Sequence, residues 1–222
     1  MTLALAALGS IAGILTTLAG QGGGLLLLLA ISVLIGPHEA LAITAPALLA
    51  GNLHRALLFR KHIERSIALR MVAGAVPGAF LGGMLAGVMP AGVLQIMLVA
   101  LTLLSIARAL KWLRFDLPRR GLGPAGLVIG AMTGTAGGAG VLFAPVLLST
   151  GLTGAAYVGT LSTIAFATHA GRVVAYASNG LFTRDLALPT LVVALAIAAG
   201  NALGERVRRS LSERVTDRKS VV

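Results

Sequence analysis

From Met1 to Pro37, and again from Gly121 to Gly171, the chain carries no Asp, Glu, Lys or Arg. A helix crossing the hydrocarbon core of a bilayer needs about 20 apolar residues, at about 1.5 Å of rise each. Both charge-free stretches exceed that length, and no core helix of a soluble domain requires so long a run. Charged residues make up only 11% of the sequence, against about 25% in soluble domains, whose surfaces must meet water. Lipid is therefore the solvent for most of this surface. The expected fold class is all-α: a polytopic helical membrane protein.

Six segments reach or approach the length of a crossing: residues 2–19, 39–59, 67–88, 92–110, 153–176 and 184–203. Three shorter apolar pieces, 25–35, 122–133 and 141–149, are half-spans that flank two glycine clusters, GQGGG from Gly20 and GTAGGAG from Gly134. Glycine there interrupts a helix and bares backbone polar groups that acyl chains cannot satisfy, so the breaks must face protein or a cavity. The N-terminus lacks a basic region and a small-residue cleavage site, and reads as a retained helix rather than a signal peptide.

The charge balance sets the orientation. The chain has 18 Lys and Arg against 7 Asp and Glu. Nearly all the basic residues fall in three groups: Arg55, Arg60, Lys61, Arg65 and Arg70; then Arg108, Lys111, Arg114, Arg119 and Arg120; then Arg206, Arg208, Arg209, Arg214, Arg218 and Lys219. The alternate loops, at 36–38, 89–91 and 178–183, contain none. That asymmetry places the three groups in the cytoplasm of a bacterial inner membrane, with the C-terminus inside. Nothing aromatic is interleaved with the charges of the tail, 205–222, so nucleic acid is not the expected partner.

With those loops on opposite sides, 39–59 and 153–176 must run in opposite directions. Yet they hold equivalent places. Each follows a glycine-rich break, a half-span and a glycine, Gly36 or Gly151, and each carries a histidine at the same distance from that glycine, His54 or His169. The expected architecture is thus two inverted-topology repeats with Gly-broken half-helices, residues 1–89 and 121–204. Residues 90–120 form a linking helix and basic loop, and 205–222 a basic tail, solvated or lying on anionic lipid. Gly74, Gly78 and Gly82, and Ala194, Ala198 and Ala202, recur at intervals of four and offer faces for close helix packing.

Two half-helices that start at the breaks would aim free amides and positive dipole ends at one another near the midplane, a geometry suited to a small anion. The substrate-binding candidates there are Gln21, Gly22, Gly23, Gly24, Gly137, Gly138 and Gly140. Thr44 and His54 share one face of their helix, Ser162 and His169 one face of theirs, and Asn52 adds a polar group. Arg172 sits about a turn from the outer end of its helix, where a cationic side chain snorkels to the interface; its other role would be an anion counter-charge at the outer mouth. Arg55 has the same two readings at the inner side.

The acids, Glu39, Glu64, Asp116, Asp185, Glu205, Glu213 and Asp217, all fall at ends, in loops or in the tail. No carboxylate is expected in mid-membrane, which argues against cation coordination or a carboxylate proton relay. If transport is proton-coupled, a histidine or the substrate carries the proton. There is no cysteine, no metal cluster and no nucleophile–base motif, so neither cofactor, metal nor enzymatic activity is expected.

These residues resemble the TauE/SafE sulfite-exporter family, also called the toluene-sulfonate uptake permease family, over about residues 5–205. The resemblance lies in GQGGGLLLL from Gly20, in NLHRALLFRKHIERSIALR from Asn52, in GTAGGAGVLFAPVLLSTGL from Gly134, in GTLSTIAFATHAGRVVAY from Gly159, and in the closing helix with Gly200 and Gly204. It implies a secondary permease for sulfite, sulfonates or related small anions, working by alternating access. Pro145 stands in the second half-span where the first has Leu29, and if it shapes the site the two half-sites are unequal. The partners expected are the anionic substrate and the bilayer, with a second copy of the chain also admitted. A carrier of another small solute, a membrane-embedded enzyme and a non-transporting assembly partner are the alternatives.

Overall fold

The structure, a computed structural model, describes residues 1–19, 22–109 and 119–219. Among these residues the chain is helical throughout and has no strand: α1 (Thr2–Ala19), α2 (Gly23–Ile35), α3 (Pro37–Leu58), α4 (Arg65–Val88), α5 (Ala91–Ala109), α6 (Leu122–Ala136), α7 (Phe143–Ser149), α8 (Gly154–Ser178) and α9 (Ala187–Lys219). The six expected crossings are α1, α3, α4, α5, α8 and α9. Three segments, Pro37–Leu58, Arg65–Val88 and Arg184–Val207, are long and apolar enough to span a bilayer by length and composition. The apolar stretches Thr2–Leu18, Gly23–Ile35, Ala91–Ala107, Leu122–Ala136 and Ala139–Ser149 are shorter.

The exterior is apolar and the interior holds the polar groups. Ile96 is 71% exposed, as are many other leucines, isoleucines and valines to lesser or similar degree, whereas Arg172, Thr44 and Ser162 are 0% exposed. Such a surface suits acyl chains, and polar side chains turn inward where protein can satisfy them.

One offset in sequence carries Gly22 onto Gly137, Gly36 onto Gly151 and His54 onto His169. All four of those glycines have positive φ: 99° and 79° at the breaks, 108° and 85° before the long helices. Only glycine takes that conformation without strain, so the same chain reversals recur in both halves. α3 and α8 pack together and run antiparallel: Leu41 near the start of α3 and Arg172 late in α8 both border Gly137, while Phe59 after α3 abuts Gly159 early in α8. The Glu64 amide donates to Thr160 Oγ1 at 2.9 Å, closing that second end. The equivalent helices of the two halves thus point in opposite directions.

The remaining pairings are reciprocal. α1, the first helix of one half, packs on α9, the last of the other, and α4 packs on α6 in the same way. Both pairs are parallel, and in both, backbone meets backbone. A methyl group on Gly74 would stand 2.7 Å from the Leu127 amide nitrogen, and one on Gly134 2.7 Å from that of Gly83. On the other pair, a methyl on Gly13 would lie 2.8 Å from the Asn201 nitrogen. With no hydrophobic force between helices in lipid, this approach supplies the dispersion contact that holds them.

One expectation needs correction. The face of α9 that meets α1 is not the alanine stripe: Ala198 is exposed, and the contacts run through Val193, Ala196, Gly200 and Gly204. Through the basic tail the chain stays helical, with α9 running to Lys219. The tail's residues are mostly good helix formers, so the hydrogen-bond ladder outlasts the apolar pattern.

At the end away from the basic groups, Asn179 ties α8 to α4, its Nδ2 donating to the carbonyls of Gly83 and Met84 at 3.0 Å each. Asn179→Ala is expected to lower stability by about 1 kcal/mol, seen as a lower midpoint in thermal unfolding followed by circular dichroism in detergent. An unchanged midpoint would remove Asn179 from the forces joining these helices.

Candidate functional site at the helix breaks

α1 ends at Ala19 and α2 starts at Gly23, with Gly22 turning the chain. The amides of Leu25 and Leu26 both return to the Gly22 carbonyl at 3.1 Å, so α2 begins cleanly at the break. The second break differs. α6 ends at Ala136, Gly137 turns, and the chain resumes as a 3-10 turn over Ala139–Leu142 before the seven residues of α7. The expectation of two matched half-helices starting after the breaks is therefore met by α2 and not by α7. Pro145 lies in the first turn of α7, where a missing N–H costs nothing, and this explains how the second half tolerates it.

The two breaks meet. Gly22, Gly24, Gly137, Gly138 and Gly140 line one cavity of about 80 Å³, together with Thr16, Leu25, Leu48, Asn52, Arg55, Val141, Leu161, Ala165 and His169. A side chain on Gly138 would collide with Leu25, so α2 and the second break are in direct contact. Asn52 donates its Nδ2 to the Leu48 carbonyl at 2.8 Å and presents the rest of its amide to the cavity wall.

Behind Gly137 lies a buried cation. A methyl on Gly137 would stand 3.0 Å from Arg172 Nη2. Arg172 Nη1 is 2.9 Å from His169 Nδ1. Its Nε and Nη2 each donate to the Tyr176 hydroxyl at 3.3 Å, and that hydroxyl donates to the Gly134 carbonyl at 2.6 Å. The guanidinium carbon also sits 5.3 Å from the centre of the Tyr176 ring, a cation–π distance. A chain of hydrogen bonds thus runs from the cavity wall through His169, Arg172 and Tyr176 to the last turn of α6. Every partner in it is neutral.

The snorkelling expected of Arg172 does not occur. α8 extends to Ser178, and Tyr176, one turn on and itself 0% exposed, draws the guanidinium inward. Its position is beside the cavity rather than at the outer mouth.

Of the other candidates, Gln21 lies outside the described residues, as do Lys111, Arg114 and Asp116 of the basic loop. Gly23 packs on the Ala12 carbonyl and Thr16 Oγ1 rather than facing the cavity. Thr44 Oγ1 donates to the Ala40 carbonyl at 2.7 Å within its own helix. Ser162 is buried, its hydroxyl unpartnered among the described residues, and neither it nor Pro145 borders the cavity. His54 is exposed and lines a separate vestibule of about 340 Å³ at the basic end, with Thr17, Arg55, Asn201, Glu205 and Arg206 among its walls. Arg55 borders both spaces. The matched histidines are thus unequal, and the reason is legible: the offset that pairs His54 with His169 puts Leu57 and Lys61 where the second half has Arg172 and Tyr176. Thr16 and Tyr176 are additions to the sequence candidates. Tyr176, one of 2 tyrosines in the chain, stands one turn from Arg172 and could have been noticed on that spacing.

An apolar exterior, two inverted halves and interrupted helices meeting at a shared cavity define a polytopic helical membrane protein of the broken-helix type. Residues 5–221 match the family model described as Sulfite exporter TauE/SafE. The chain belongs to that family, and with it to the membrane transporters of the sulfite and anion exporter type. A family of transporters accords with the lack of enzyme motifs in the sequence. No curated protein and no solved structure shows significant similarity to the chain.

Proposed function

We propose that the chain is a permease for a small sulfur oxyanion or short sulfonate, held in the cavity between the two breaks and passed across by alternating access. The observation that carries this reading is the fully buried Arg172, one histidine away from the cavity and, among the described residues, bonded only to neutral groups. An ion in low dielectric costs several kcal/mol unless another charge lies nearby. An anion in the cavity offsets that cost, whereas a cation would add to it.

The cavity, about 80 Å³, is well below the roughly 300 Å³ and more of pockets that enclose drug-sized ligands. It favours a compact anion such as sulfite over an aromatic sulfonate. The vestibule at the basic end, separated from it by Arg55, is the route from one face. The antiparallel α3 and α8 between the halves form the axis about which the other route would open. By the distribution of Lys and Arg, the vestibule faces the cytoplasm of a bacterial inner membrane.

Uptake of radiolabelled sulfite into proteoliposomes tests the proposal. Saturable flux is expected, competed by methanesulfonate, with p-toluenesulfonate competing at least about tenfold more weakly, a difference of about 1.4 kcal/mol. Folded protein that moves none of the three would leave the assembly-partner reading in its place.

A further inference from the structure

Nδ1 of His169 can act as donor or acceptor, and its neighbour decides which. A guanidinium has five N–H groups and no lone pair. With Arg172 Nη1 at 2.9 Å from Nδ1, the arginine donates and Nδ1 must accept. A neutral imidazole that accepts at one nitrogen carries its proton on the other. His169 lines the cavity, and its contact with Arg172 engages Nδ1, which leaves Nε2 as the ring nitrogen that carries the proton. Arg172 in turn is held from behind, since Tyr176 accepts from Nε and Nη2 and is itself fastened to the Gly134 carbonyl.

We propose that Arg172 is a positioning residue for His169, holding the ring in the tautomer that presents Nε2–H to the substrate anion. This rests on the anion-carrier reading and adds a division of labour to it: Arg172 supplies the charge, His169 the directed donor. The device belongs to one half of the molecule only. In the first half, Leu57 stands at the position matching Arg172 and is exposed, so His54 has no comparable partner on its own helix. The anion is thus gripped asymmetrically although the backbone halves correspond. A hydrogen bond to an ionised acceptor is roughly twice as strong as a neutral one, which makes a fixed donor at this point useful for orienting an oxyanion.

The test uses the full chain in lipid nanodiscs with ¹⁵N-labelled imidazole. Of the 4 histidines, His169 is identified by the resonances lost in His169→Gln. The wild-type protein is expected to show a single His169 tautomer, Nδ1 unprotonated and Nε2 protonated, with the Nε2 resonance shifted on adding sulfite. Arg172→Met, which retains bulk and has no donor, is expected to give a mixture of both tautomers. A protonated Nδ1 in the wild-type protein overturns the proposal without reliance on any variant. So does a single, unchanged tautomer in Arg172→Met, or an Nε2 resonance that sulfite leaves in place while flux proceeds. A locked tautomer in a protein that carries no anion would uphold the role of Arg172 toward His169 and remove the carrier reading instead.

Discussion

Arg172→Met is expected to reduce sulfite uptake by about 30-fold or more while leaving the bundle folded. Removing one member of a buried, hydrogen-bonded charge pair costs at least about 2 kcal/mol, and 1.4 kcal/mol is tenfold in an equilibrium. The opposite sign applies to stability. Among the described residues Arg172 bonds only to neutral partners, His169 and Tyr176, so with respect to them the guanidinium is a buried charge without an opposite one. Replacing such a group with an apolar side chain of similar length is neutral or stabilising. Loss of flux with an equal or higher melting midpoint is therefore the signature of a group kept for its substrate. Full uptake in Arg172→Met would show that the charge beside the breaks has no part in binding, and the central functional reading would go with it.

The largest effect on assembly is expected at the seam between α4 and α6. A methyl on Gly78 would lie 2.9 Å from the Ala131 nitrogen and closer still to the Leu127 carbonyl oxygen. Neither can turn away, because both belong to the backbone of a parallel helix. Overpacking of a tight core costs roughly 1–3 kcal/mol even where side chains can shift. Gly78→Ala should fall at the upper end of that range, and Gly78→Val should prevent α4 and α6 from docking at all. The control is Gly92→Ala near the start of α5, where an added methyl meets nothing within 4 Å, and stability should hold or rise slightly. Thermal unfolding in detergent, with size-exclusion profiles, distinguishes these cases. A Gly78→Val protein that melts with the wild type would mean that the two helices are not held by backbone contact.

How much of this could be read from residues alone varies by element. The breaks were legible because glycines clustered in an apolar run interrupt a helix, and Gly22 and Gly137 do adopt positive φ. The packing role of Gly74, Gly78 and Gly82 followed from their spacing by four. The alanine stripe of α9 had the same spacing and misled, since Ala198 and Ala202 are exposed. Spacing identifies a face without saying what packs against it. The start of the second half-helix is not legible for a related reason: the residues after Gly140 are as apolar as those after Gly24, yet the chain spends Ala139–Leu142 on a 3-10 turn first.

The residues alone determined the solvent, the helical class, the interruptions and the opposed sense of the two halves, because hydropathy, the freedom of glycine and the distribution of Lys and Arg are properties of local sequence. Depth was decided only by tertiary structure. Whether Arg172 reaches outward to headgroups or inward to Tyr176 and the Gly134 carbonyl depends on a helix 42 residues removed from the tyrosine it holds. The same holds for His54 and His169, matched in sequence and placed in different spaces by what surrounds them. Burial is a relation between segments, and it comes into being when they pack.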